Sequence, residues 1–292
     1  MDPKQISLIV PVYNEEESLR GFAPLITDFA NEYGFELIFV DDGSTDGSAG
    51  ILKMLSLNYI PHHTRRGYGA SLKTGVRHAA REFVMFMDAD GQHRLEDVLK
   101  IALVADGQGM TIGERRNLYR LTFYTMLGRL ILTGMVNLFT QSNLKDINSG
   151  LRLVQKQFFL RYESALPDNF SCTTTLTILA IKFHHPIRFV PVEVMKRKGK
   201  SKVNLFRDGL NLCILIIRAM VLADPLAVFL PVSGAFIFVS IFYGVYVAIK
   251  RGMGIPVGAL ILFITGIILF ALGIICDQIS ALRLSILKKN QD

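Results

Sequence analysis

Apolar and polar residues form repeating blocks along the first part of the chain. Three short runs rich in β-branched and aromatic residues, Ile6–Val12, Phe35–Asp41 and Phe83–Asp88, each lead into a polar or glycine-rich turn. Between them, Glu16–Tyr33 and Ala70–Arg81 repeat apolar residues at the spacing of an amphipathic helix. Strands that alternate with helices are typical of a mostly parallel, Rossmann-like α/β sheet, whose ligands bind beyond the carboxyl ends of the strands.

The pattern changes towards the C-terminus, where two long runs carry no charged residue. These runs, Pro225–Ile249 and Ile255–Cys276, each reach the roughly 20 apolar residues that span a bilayer core. The connection Lys250–Gly254 is too short to hold a domain, so we expect a transmembrane hairpin with both flanks on one side of the membrane. We predict a catalytic unit, an amphipathic juxtamembrane helix, a hairpin and a tail, at residues 1–203, 204–224, 225–287 and 288–292.

Two segments before the hairpin have the pattern of helices that lie on a membrane surface. In residues 115–140 the leucines lie mostly outside one polar face, which consists of Arg115, Thr122, Arg129 and Thr133. In residues 204–222, charged and amide side chains lie opposite leucine, isoleucine and valine. An ordinary core helix with one solvated face has the same periodicity, and the pattern leaves that alternative open.

The charge and the residue composition of the chain limit which ligands it binds and in which compartment it lies. The net charge is +7 without a nucleic-acid motif, so we expect phosphate ligands or anionic lipid and no nucleic acid. Met1–Gln5 lead into the first predicted strand without a signal-peptide pattern, and the basic C-terminal flank outweighs the basic hairpin connection. We therefore expect an integral membrane protein with a cytoplasmic catalytic unit. The three cysteines have neither paired spacing nor metal-ligand spacing.

The tripeptide Asp88-Ala89-Asp90 lies at the end of the third predicted strand. Alternate residues just past a strand can bring two carboxylates to one hard cation, and Gln92 offers a third oxygen. Such an ion, Mg²⁺ or Mn²⁺, would neutralise charge on a departing diphosphate. Acidic residues also cap turns and helices, so the tripeptide alone leaves a structural role open.

Five ordered motifs resemble a known family. They are Ile9–Glu16, Val40–Asp46, Gly67–Ala70, Met87–His93 and Asp146–Arg152. Their order resembles that of inverting glycosyltransferases of the GT-A type, family two. With its C-terminal hairpin the chain is most similar to the polyprenyl-phosphate glycosyltransferases, a group that contains dolichyl-phosphate mannose synthases and bacterial undecaprenyl-phosphate sugar transferases.

The resemblance implies a role for each matching residue on the donor side. The nucleotide sugar would contact residues in the loops after the strands: Pro11, Tyr13, Asn14, Glu15, Val40, Asp42, Asp88, Ala89, Asp90 and Gln92. The metal would be held by Asp88, Asp90 and Gln92, and the catalytic residues would be Asp90 and Asp146. For Asp146 the pattern leaves two roles open, a general base or a group that orients Arg152 or a nearby helix.

The acceptor side of the resemblance is basic. Arg115 and Arg129 resemble two family arginines that bind the lipid phosphate and the donor phosphates, and Thr133 replaces an expected serine. Guanidinium groups suit phosphate because they offer two parallel charge-assisted hydrogen bonds. The run Met195–Lys202 resembles a loop that closes over both substrates, with three candidate phosphate ligands, Arg197, Lys198 and Lys202.

The resemblance implies inverting transfer of one hexose from a GDP-mannose or UDP-glucose type of donor to a polyprenyl phosphate, and the hairpin and the charge bias add the expectation of the cytoplasmic membrane face. An acceptor phosphate is already an anion, so positioning and charge neutralisation suffice for attack. Arg65-Arg66 stands where related sequences commonly have an Asn-containing segment before the glycine-rich turn. The identity of the nucleotide base that is recognised is therefore open. The prenyl chain length and the formation of a homo-oligomer are open as well.

Other functions share part of the pattern. A processive polysaccharide synthase would carry a Gln-x-x-Arg-Trp motif, and this chain contains no tryptophan. A glycosyltransferase acting on a neutral lipid hydroxyl such as diglyceride would need a base and has less use for two aligned arginines. A non-catalytic nucleotide-sugar-binding scaffold is disfavoured by the intact Asp88 and Asp90. The pairs His62-His63 and His184-His185 show no carboxylate partner in the sequence, so we expect structural roles for them.

Overall fold

The computed structural model describes residues 1–116, 134, 146–147, 149–195, 221, 224–252 and 254–289. The chain divides into two compact units, Met1–Ile216 and Ile217–Asp292. Most of the two predicted amphipathic segments, 115–140 and 204–222, lies outside the described residues.

The described part of the first unit is built on a seven-stranded sheet with the strand order β3-β2-β1-β4-β6-β5-β7. Its strands are β1 Ile6–Val12, β2 Glu36–Asp41, β3 Tyr59–Pro61, β4 Phe83–Phe86, β5 Met110–Arg115, β6 Arg152–Gln155 and β7 Ile187–Val192. Strand β6 is antiparallel to both of its neighbours, β4 and β5, and every other pairing is parallel. The mostly parallel sheet agrees with the predicted fold class.

Helices cover this sheet. They are α1 Glu16–Tyr33, α2 Ser48–Met54, α3 Tyr68–His78, α4 Leu95–Val104, α5 Lys156–Tyr162 and α6 Cys172–Lys182. All seven residues of β1 are buried, as expected for a central strand with helices on both faces. Helix α1 buries Leu19, Phe22, Ile26 and Ala30 at steps of three and four residues, which is the apolar stripe that its sequence predicts.

The predicted ends of the strands and helices agree closely with the structure where the apolar pattern in the sequence is strong. Strand β1 and helix α1 have the expected bounds, whereas β4 ends at Phe86, before the predicted end at Asp88. Arg115 is the last residue of β5 and does not begin the helix predicted for residues 115–140. Its place in the strand follows from parallel pairing with Val192 of β7, a long-range contact that periodicity does not reveal.

The second unit contains two long helices, α7 Pro225–Arg251 and α8 Val257–Lys289. Each has a span of 26 residues that is long and apolar enough to cross a membrane, Pro225–Lys250 and Val257–Leu282. Helix α8 continues past the predicted end at Cys276 because a charge marks the edge of an apolar run but does not stop a helix. The hairpin indicates a membrane-anchored protein.

Small residues line the contact between α7 and α8. On α8 they recur at every seventh position, at Ala259, Gly266, Gly273 and Ser280, and Gly266 and Gly273 are packed against Ile237 and Phe229 of α7. The Ser240 hydroxyl donates to the Ala259 carbonyl at 2.6 Å. A seven-residue repeat of small side chains lets two membrane helices approach closely.

Candidate active site

The loops that follow β1, β2 and β4 lie side by side, because these three strands are neighbours and run parallel. The carboxyl ends of such strands meet at one edge of the sheet, where α/β proteins bind their ligands. The loop after β1 contains Tyr13–Glu15, the loop after β2 starts at Asp42, and the loop after β4 contains Asp88–Gln92. The structure therefore brings the three predicted polar clusters together.

Hydrogen bonds join the first two loops. Asn14 donates its backbone N–H to the Ser44 hydroxyl at 3.0 Å, and its side-chain oxygen accepts the backbone N–H of Thr45 at 2.8 Å. The backbone N–H of Glu15 donates to the Ser48 hydroxyl at 3.0 Å. Asn14 thus holds the loop after β2 in place, and its predicted contact with a nucleotide stays a prediction.

Three predicted nucleotide contacts at this edge differ in burial: Pro11, Val40 and Tyr13. Pro11 lies opposite Val40 in the pairing of β1 with β2, and both are buried within the sheet. Tyr13 is half-buried, and the Arg65 guanidinium lies over its ring at 4.3 Å from the centroid. Among these three predicted nucleotide contacts, Tyr13 is the one whose side chain reaches the surface.

Asp42 organises the loop before α3. Its carboxylate accepts the backbone N–H groups of Arg66 and Gly67, both at 2.8 Å, and contacts the His62 ring nitrogen at 2.9 Å. The residue is buried. Carboxylates that accept several such bonds fix the backbone around them. Asp42 was predicted to contact the nucleotide, and its described contacts hold the neighbouring loop.

The sequence shows no evident carboxylate partner for His62, but the structure provides one, and the contacts of His62 agree with the expected structural role. Its Nδ1 pairs with Asp42, and its Nε2 lies 2.9 Å from the Thr74 hydroxyl of α3, so both ring nitrogens are used. The partner lies 20 positions away in sequence, directly after the neighbouring strand β2. His62 therefore links β3, α3 and the Asp42 loop.

The Asp88–Gln92 loop presents two carboxylates. Ala89 is buried, whereas Asp88, Asp90 and Gln92 are half-buried, so alternate side chains reach the surface. The Asp90 carboxylate accepts the backbone N–H of Gln92 at 3.0 Å, which shapes the turn. A β-carbon added at Gly150 would lie 2.4 Å from the Asp88 carboxylate oxygen Oδ2. Gly150 thus leaves room for the Asp88 carboxylate. The motif comparison gave Gly150 no role, because a residue that acts by lacking a side chain carries no chemical group to recognise.

The charge of Asp88 is stabilised by its neighbours. Burial by itself would raise the pKa of Asp88, but hydrogen bonding and charge from His93, with smaller contributions from Tyr68 and Arg115, lower it below the usual value. His93 Nε2 lies 3.9 Å from Asp88 Oδ2. Asp88 is therefore ionised at neutral pH, the state that binds a cation.

Arg115 and Asp146 form a two-pronged ion pair. Arg115 Nε donates to Asp146 at 2.8 Å and Nη2 donates at 2.9 Å. Burial lowers the pKa of Arg115, but Asp146 first and then Asp88 and Asp90 raise it above the usual value. The guanidinium is thus charged at all relevant pH values and lies within the electrostatic field of both predicted metal ligands.

Arg152 is fully buried and has a structural role. It donates to the carbonyl oxygens of Ile147, Ser149 and Thr173 and to the Thr177 hydroxyl. Burial lowers the pKa of Arg152 to about 10. Asp146 forms its ion pair with Arg115 and also raises the pKa of Arg152 by its charge, while the described hydrogen bonds of Arg152 join Ile147 and Ser149 to α6 through neutral groups.

The remaining predicted site residues cannot be placed. Arg129, Thr133, Arg197, Lys198 and Lys202 lie outside the described residues. The chain at the start of the predicted basic run pairs with the end of the Asp88–Gln92 loop. His93 forms a β-bridge with Val194, and Met195 donates its backbone N–H to the Gln92 carbonyl at 2.8 Å.

The donor set fits a magnesium or manganese ion that is shared with a substrate. Within the described ranges, no group of three or more His, Cys, Asp and Glu side chains could hold a metal ion. Two carboxylates are nevertheless sufficient for Mg²⁺, which usually keeps several waters and takes one or two protein carboxylates plus substrate phosphates. Asp88 and Asp90 supply such a pair.

Two family models match this chain. Residues 7–165 match Glycosyl transferase family 2, and residues 224–282 match the GtrB C-terminal hairpin. Together the matches include the sheet edge described above and both helices of the second unit.

Two curated relatives are similar over much of the chain. Glycosyltransferase AglJ of Haloferax volcanii is 24% identical over 303 residues, covering 99% of this chain and 98% of the relative. Undecaprenyl-phosphate 4-deoxy-4-formamido-L-arabinose transferase of Edwardsiella ictaluri is 25% identical over 211 residues, covering 69% of this chain and 64% of the relative. The chain thus spans slightly less than two thirds of the second relative.

Solved structures resemble about three quarters of this chain. A mycobacterial protein superposes with a TM-score of 0.62 at 17% identity, covering 74% of each chain. Glucosyl-3-phosphoglycerate synthase from Mycobacterium tuberculosis, crystallised with Mn²⁺, UDP-glucose and phosphoglyceric acid, superposes with a TM-score of 0.58 at 19% identity, covering 74% of this chain and 79% of that chain. At these identities the likeness shows the fold alone, and with the family matches it confirms the predicted GT-A fold.

Proposed function

The chain belongs to glycosyltransferase family 2 and ends in a GtrB C-terminal hairpin, and from this premise we propose that it transfers one hexose from a nucleotide sugar to a polyprenyl phosphate. The donor is of the GDP-mannose or UDP-glucose type, and the product is a polyprenyl-phosphate sugar with an inverted anomeric centre. The name of the undecaprenyl-phosphate transferase relative supports this acceptor class. The hairpin, the GtrB family match and the predicted charge bias support a reaction at the cytoplasmic face of the membrane.

The proposal is supported above all by the charge interaction of Arg115 with Asp88 and Asp90. Two carboxylates bind a cation but repel phosphate, so a site for phosphate-bearing substrates also needs fixed positive charge. Asp146 holds the Arg115 guanidinium, and the charge of that guanidinium interacts with Asp88 and Asp90. Asp88 and Asp90 would hold the cation, and the Arg115 guanidinium would bind a substrate phosphate through charge-assisted hydrogen bonds.

Asp88 and Asp90 hold the divalent ion, Mg²⁺ or Mn²⁺, and the Gln92 side chain is a further candidate ligand. When bound, the ion supplies Lewis-acid neutralisation of the charge that develops on the departing nucleotide diphosphate. The lowered pKa of Asp88 supports this role because it keeps the carboxylate ionised. The Mn²⁺ in the structure of glucosyl-3-phosphoglycerate synthase makes Mn²⁺ the first ion to test.

The acceptor phosphate attacks the anomeric carbon without a general base, since it is already an anion. Asp146 was a candidate base, but its two oxygens accept from Arg115, so we assign it the role of orienting that arginine. Arg115 in turn positions a phosphate by charge-assisted hydrogen bonds. Direct displacement then turns an α-linked donor into a β-linked product.

The nucleotide lies across the loops after β1 and β2. Tyr13 offers a half-buried ring, and Arg65 lies over that ring. Pro11 and Val40 support the site from within the sheet, and Asn14, Glu15 and Asp42 hold its loops. Arg129, Thr133, Arg197, Lys198 and Lys202 stay predicted phosphate ligands.

A substrate panel tests the proposal. The full chain in lipid nanodiscs is incubated with UDP-glucose or GDP-mannose, a polyprenyl phosphate and Mn²⁺, and the lipid products are weighed by mass spectrometry. We expect a single hexose addition that EDTA abolishes and that Asp88→Asn and Asp90→Asn nearly abolish. Asp28→Asn, at an exposed position on α1, is the matched control and should retain activity.

The same panel, extended by diglyceride as a second acceptor, separates the rival functions. Repeated additions would indicate a processive synthase, and a product that forms only with diglyceride would indicate a neutral lipid acceptor. Binding of a nucleotide sugar without any product would favour a scaffold. The proposed reaction predicts none of these three results.

A further inference from the structure

The side-chain hydroxyl of Tyr68 is buried and has no hydrogen-bond partner of normal geometry among the described residues. It nevertheless lies within interaction range of the Asp88 carboxylate. A tyrosine hydroxyl carries its proton at neutral pH and can donate a hydrogen bond. The site thus contains a hydrogen-bond donor beside a predicted metal ligand, and the donor is not used by the described residues.

The position of Tyr68 is set by tight packing at the start of α3. The residue before it, Gly67, has φ +108, and a β-carbon there would lie 2.3 Å from the Asp168 carbonyl oxygen. The Tyr68 ring stacks on the Phe170 ring with centroids 5.1 Å apart. The Lys73 ammonium of α3 also donates to the Leu166 carbonyl and the Asp168 carboxylate, each at 2.6 Å. The backbone and the ring are therefore held independently of the hydroxyl.

Two of the buried polar atoms without a hydrogen-bond partner in the described part of the chain belong to side chains that interact with Asp88, namely those of Tyr68 and His93. Among the described residues, such atoms include the Tyr68 hydroxyl, His93 Nδ1 and the Ser149 hydroxyl. His93 contacts Asp88, and Ser149 precedes Gly150, against which the Asp88 carboxylate packs. A buried polar atom without a partner lowers the stability of the fold, so its retention requires another reason. Phenylalanine at position 68 would keep the stack with Phe170 without this cost.

We propose that Tyr68 is a positioning residue whose hydroxyl donates a hydrogen bond to the Asp88 carboxylate in the metal-bound enzyme. The inference rests on the proposed metal-dependent transfer, but it concerns a residue to which no motif gave a role. The hydroxyl orients Asp88 and does not touch the reacting atoms. Groups that orient metal ligands in this way typically change metal affinity by about 10- to 100-fold when they are removed.

Tyr68→Phe has a distinctive expected result. Metal affinity should fall by about 10- to 100-fold. The unfolding temperature without metal should be unchanged or raised by up to about 4 °C, because an unpaired buried hydroxyl is removed. A residue needed only for folding would instead lower the unfolding temperature and leave metal affinity unchanged.

The readouts are Mn²⁺ binding and thermal unfolding of the full chain. The protein is titrated with Mn²⁺ in the presence of UDP and, in a parallel series, in the presence of GDP. Electron paramagnetic resonance measures the free Mn²⁺ at each step. Binding of each nucleotide without metal should be the same in Tyr68→Phe and in the wild type. Tyr162→Phe is the matched control, since the Tyr162 ring is also buried and stacked but packs on Phe158 and Phe183.

Equal Mn²⁺ affinity of the wild type and Tyr68→Phe would overturn the positioning role, whatever the acceptor. Destabilisation of Tyr68→Phe without a change in Mn²⁺ binding would do the same. A wild type that binds no Mn²⁺ with either nucleotide would overturn this inference and the metal assignment together. A wild type that binds Mn²⁺ but makes no prenyl-linked product would overturn the proposed acceptor, and the comparison of Mn²⁺ affinities would still decide the role of Tyr68.

Discussion

The guanidinium of Arg115 donates to both carboxylate oxygens of Asp146, from Nε at 2.8 Å and from Nη2 at 2.9 Å. The Arg115 backbone N–H also donates to Asp146, at 3.2 Å. The Asp146 side chain is only 1% exposed, whereas that of Arg115 is 27% exposed. A buried acid thus holds a partly accessible arginine in a fixed orientation, and the arginine interacts electrostatically with Asp88 and Asp90.

A double-mutant cycle distinguishes this orienting role of Asp146 from general base catalysis. We expect Arg115→Gln and Asp146→Asn each to lower kcat/KM by about 10- to 100-fold, the effect of losing a hydrogen bond to a charged group. The double variant should be no worse than Arg115→Gln alone, because Asp146 acts through that arginine. Steady-state kinetics with varied acceptor measures the coupling. Additive losses, or loss of the acidic limb of the pH profile in Asp146→Asn alone, would instead identify a base.

Gly150→Ala should displace the Asp88 carboxylate. The added β-carbon would lie 2.4 Å from Oδ2, a distance that forces the carboxylate to move. We expect Mn²⁺ affinity to fall by about 10- to 100-fold and stability to fall by about 1–3 kcal/mol. Mn²⁺ titration and thermal unfolding measure the two effects.

Gly50→Ala is the control for this substitution. Gly50 is exposed on α2 and has no atom within 4 Å of an added β-carbon, so alanine there should stabilise the helix slightly and leave metal binding unchanged. If Gly150→Ala bound Mn²⁺ like the wild type, the contact between Gly150 and Asp88 would have no functional importance.

The Cys172 thiol should resist alkylation in the folded protein. Burial raises the pKa of Cys172 to about 12, and the thiolate is the reactive form. In a Cys213→Ser/Cys276→Ser background, we expect iodoacetamide to label the chain near neutral pH only after unfolding. At a pH of about 9 the folded chain should still be protected, because this pH lies well below the raised pKa. Labelling of the folded protein at the rate of a free cysteine, followed by mass spectrometry, would contradict the buried position.

Gly266→Leu should weaken the hairpin. A β-carbon at Gly266 would lie 2.6 Å from Ile237 and 3.1 Å from the Ser233 carbonyl oxygen, so a larger side chain separates α7 from α8. We expect a loss of about 1–3 kcal/mol, observed as a lower temperature of aggregation in detergent. Gly234→Leu is the control because Gly234 has no atom within 4 Å of an added β-carbon. Equal aggregation temperatures for the two variants would argue against close packing at Gly266.

The spacing of apolar residues predicted those strands and helices whose buried positions form a continuous pattern within the element itself. Strand β1 and helix α1 have the expected bounds, because each carries an unbroken apolar run or stripe. Strand β6 was not predicted, since its four residues are too few to show a period and its conformation depends on pairing with β4 and β5. Arg115 was placed in a helix for the same reason, as its pairing with β7 leaves no local signal.

The sequence alone determined the class of the protein. The order of its motifs, the carboxylates at positions 88 and 90 and two uncharged runs sufficed to predict a membrane-anchored GT-A glycosyltransferase, because these features depend on residue type and local spacing. Only the tertiary structure decided which groups act on one another. Asp146 meets Arg115 across 31 positions, and Asp42 meets His62 across 20. Hydrogen bonds, ion pairs and steric contacts of this kind form between strand ends and loops that the sheet brings together, and their partners are therefore set by strand order and not by neighbouring sequence.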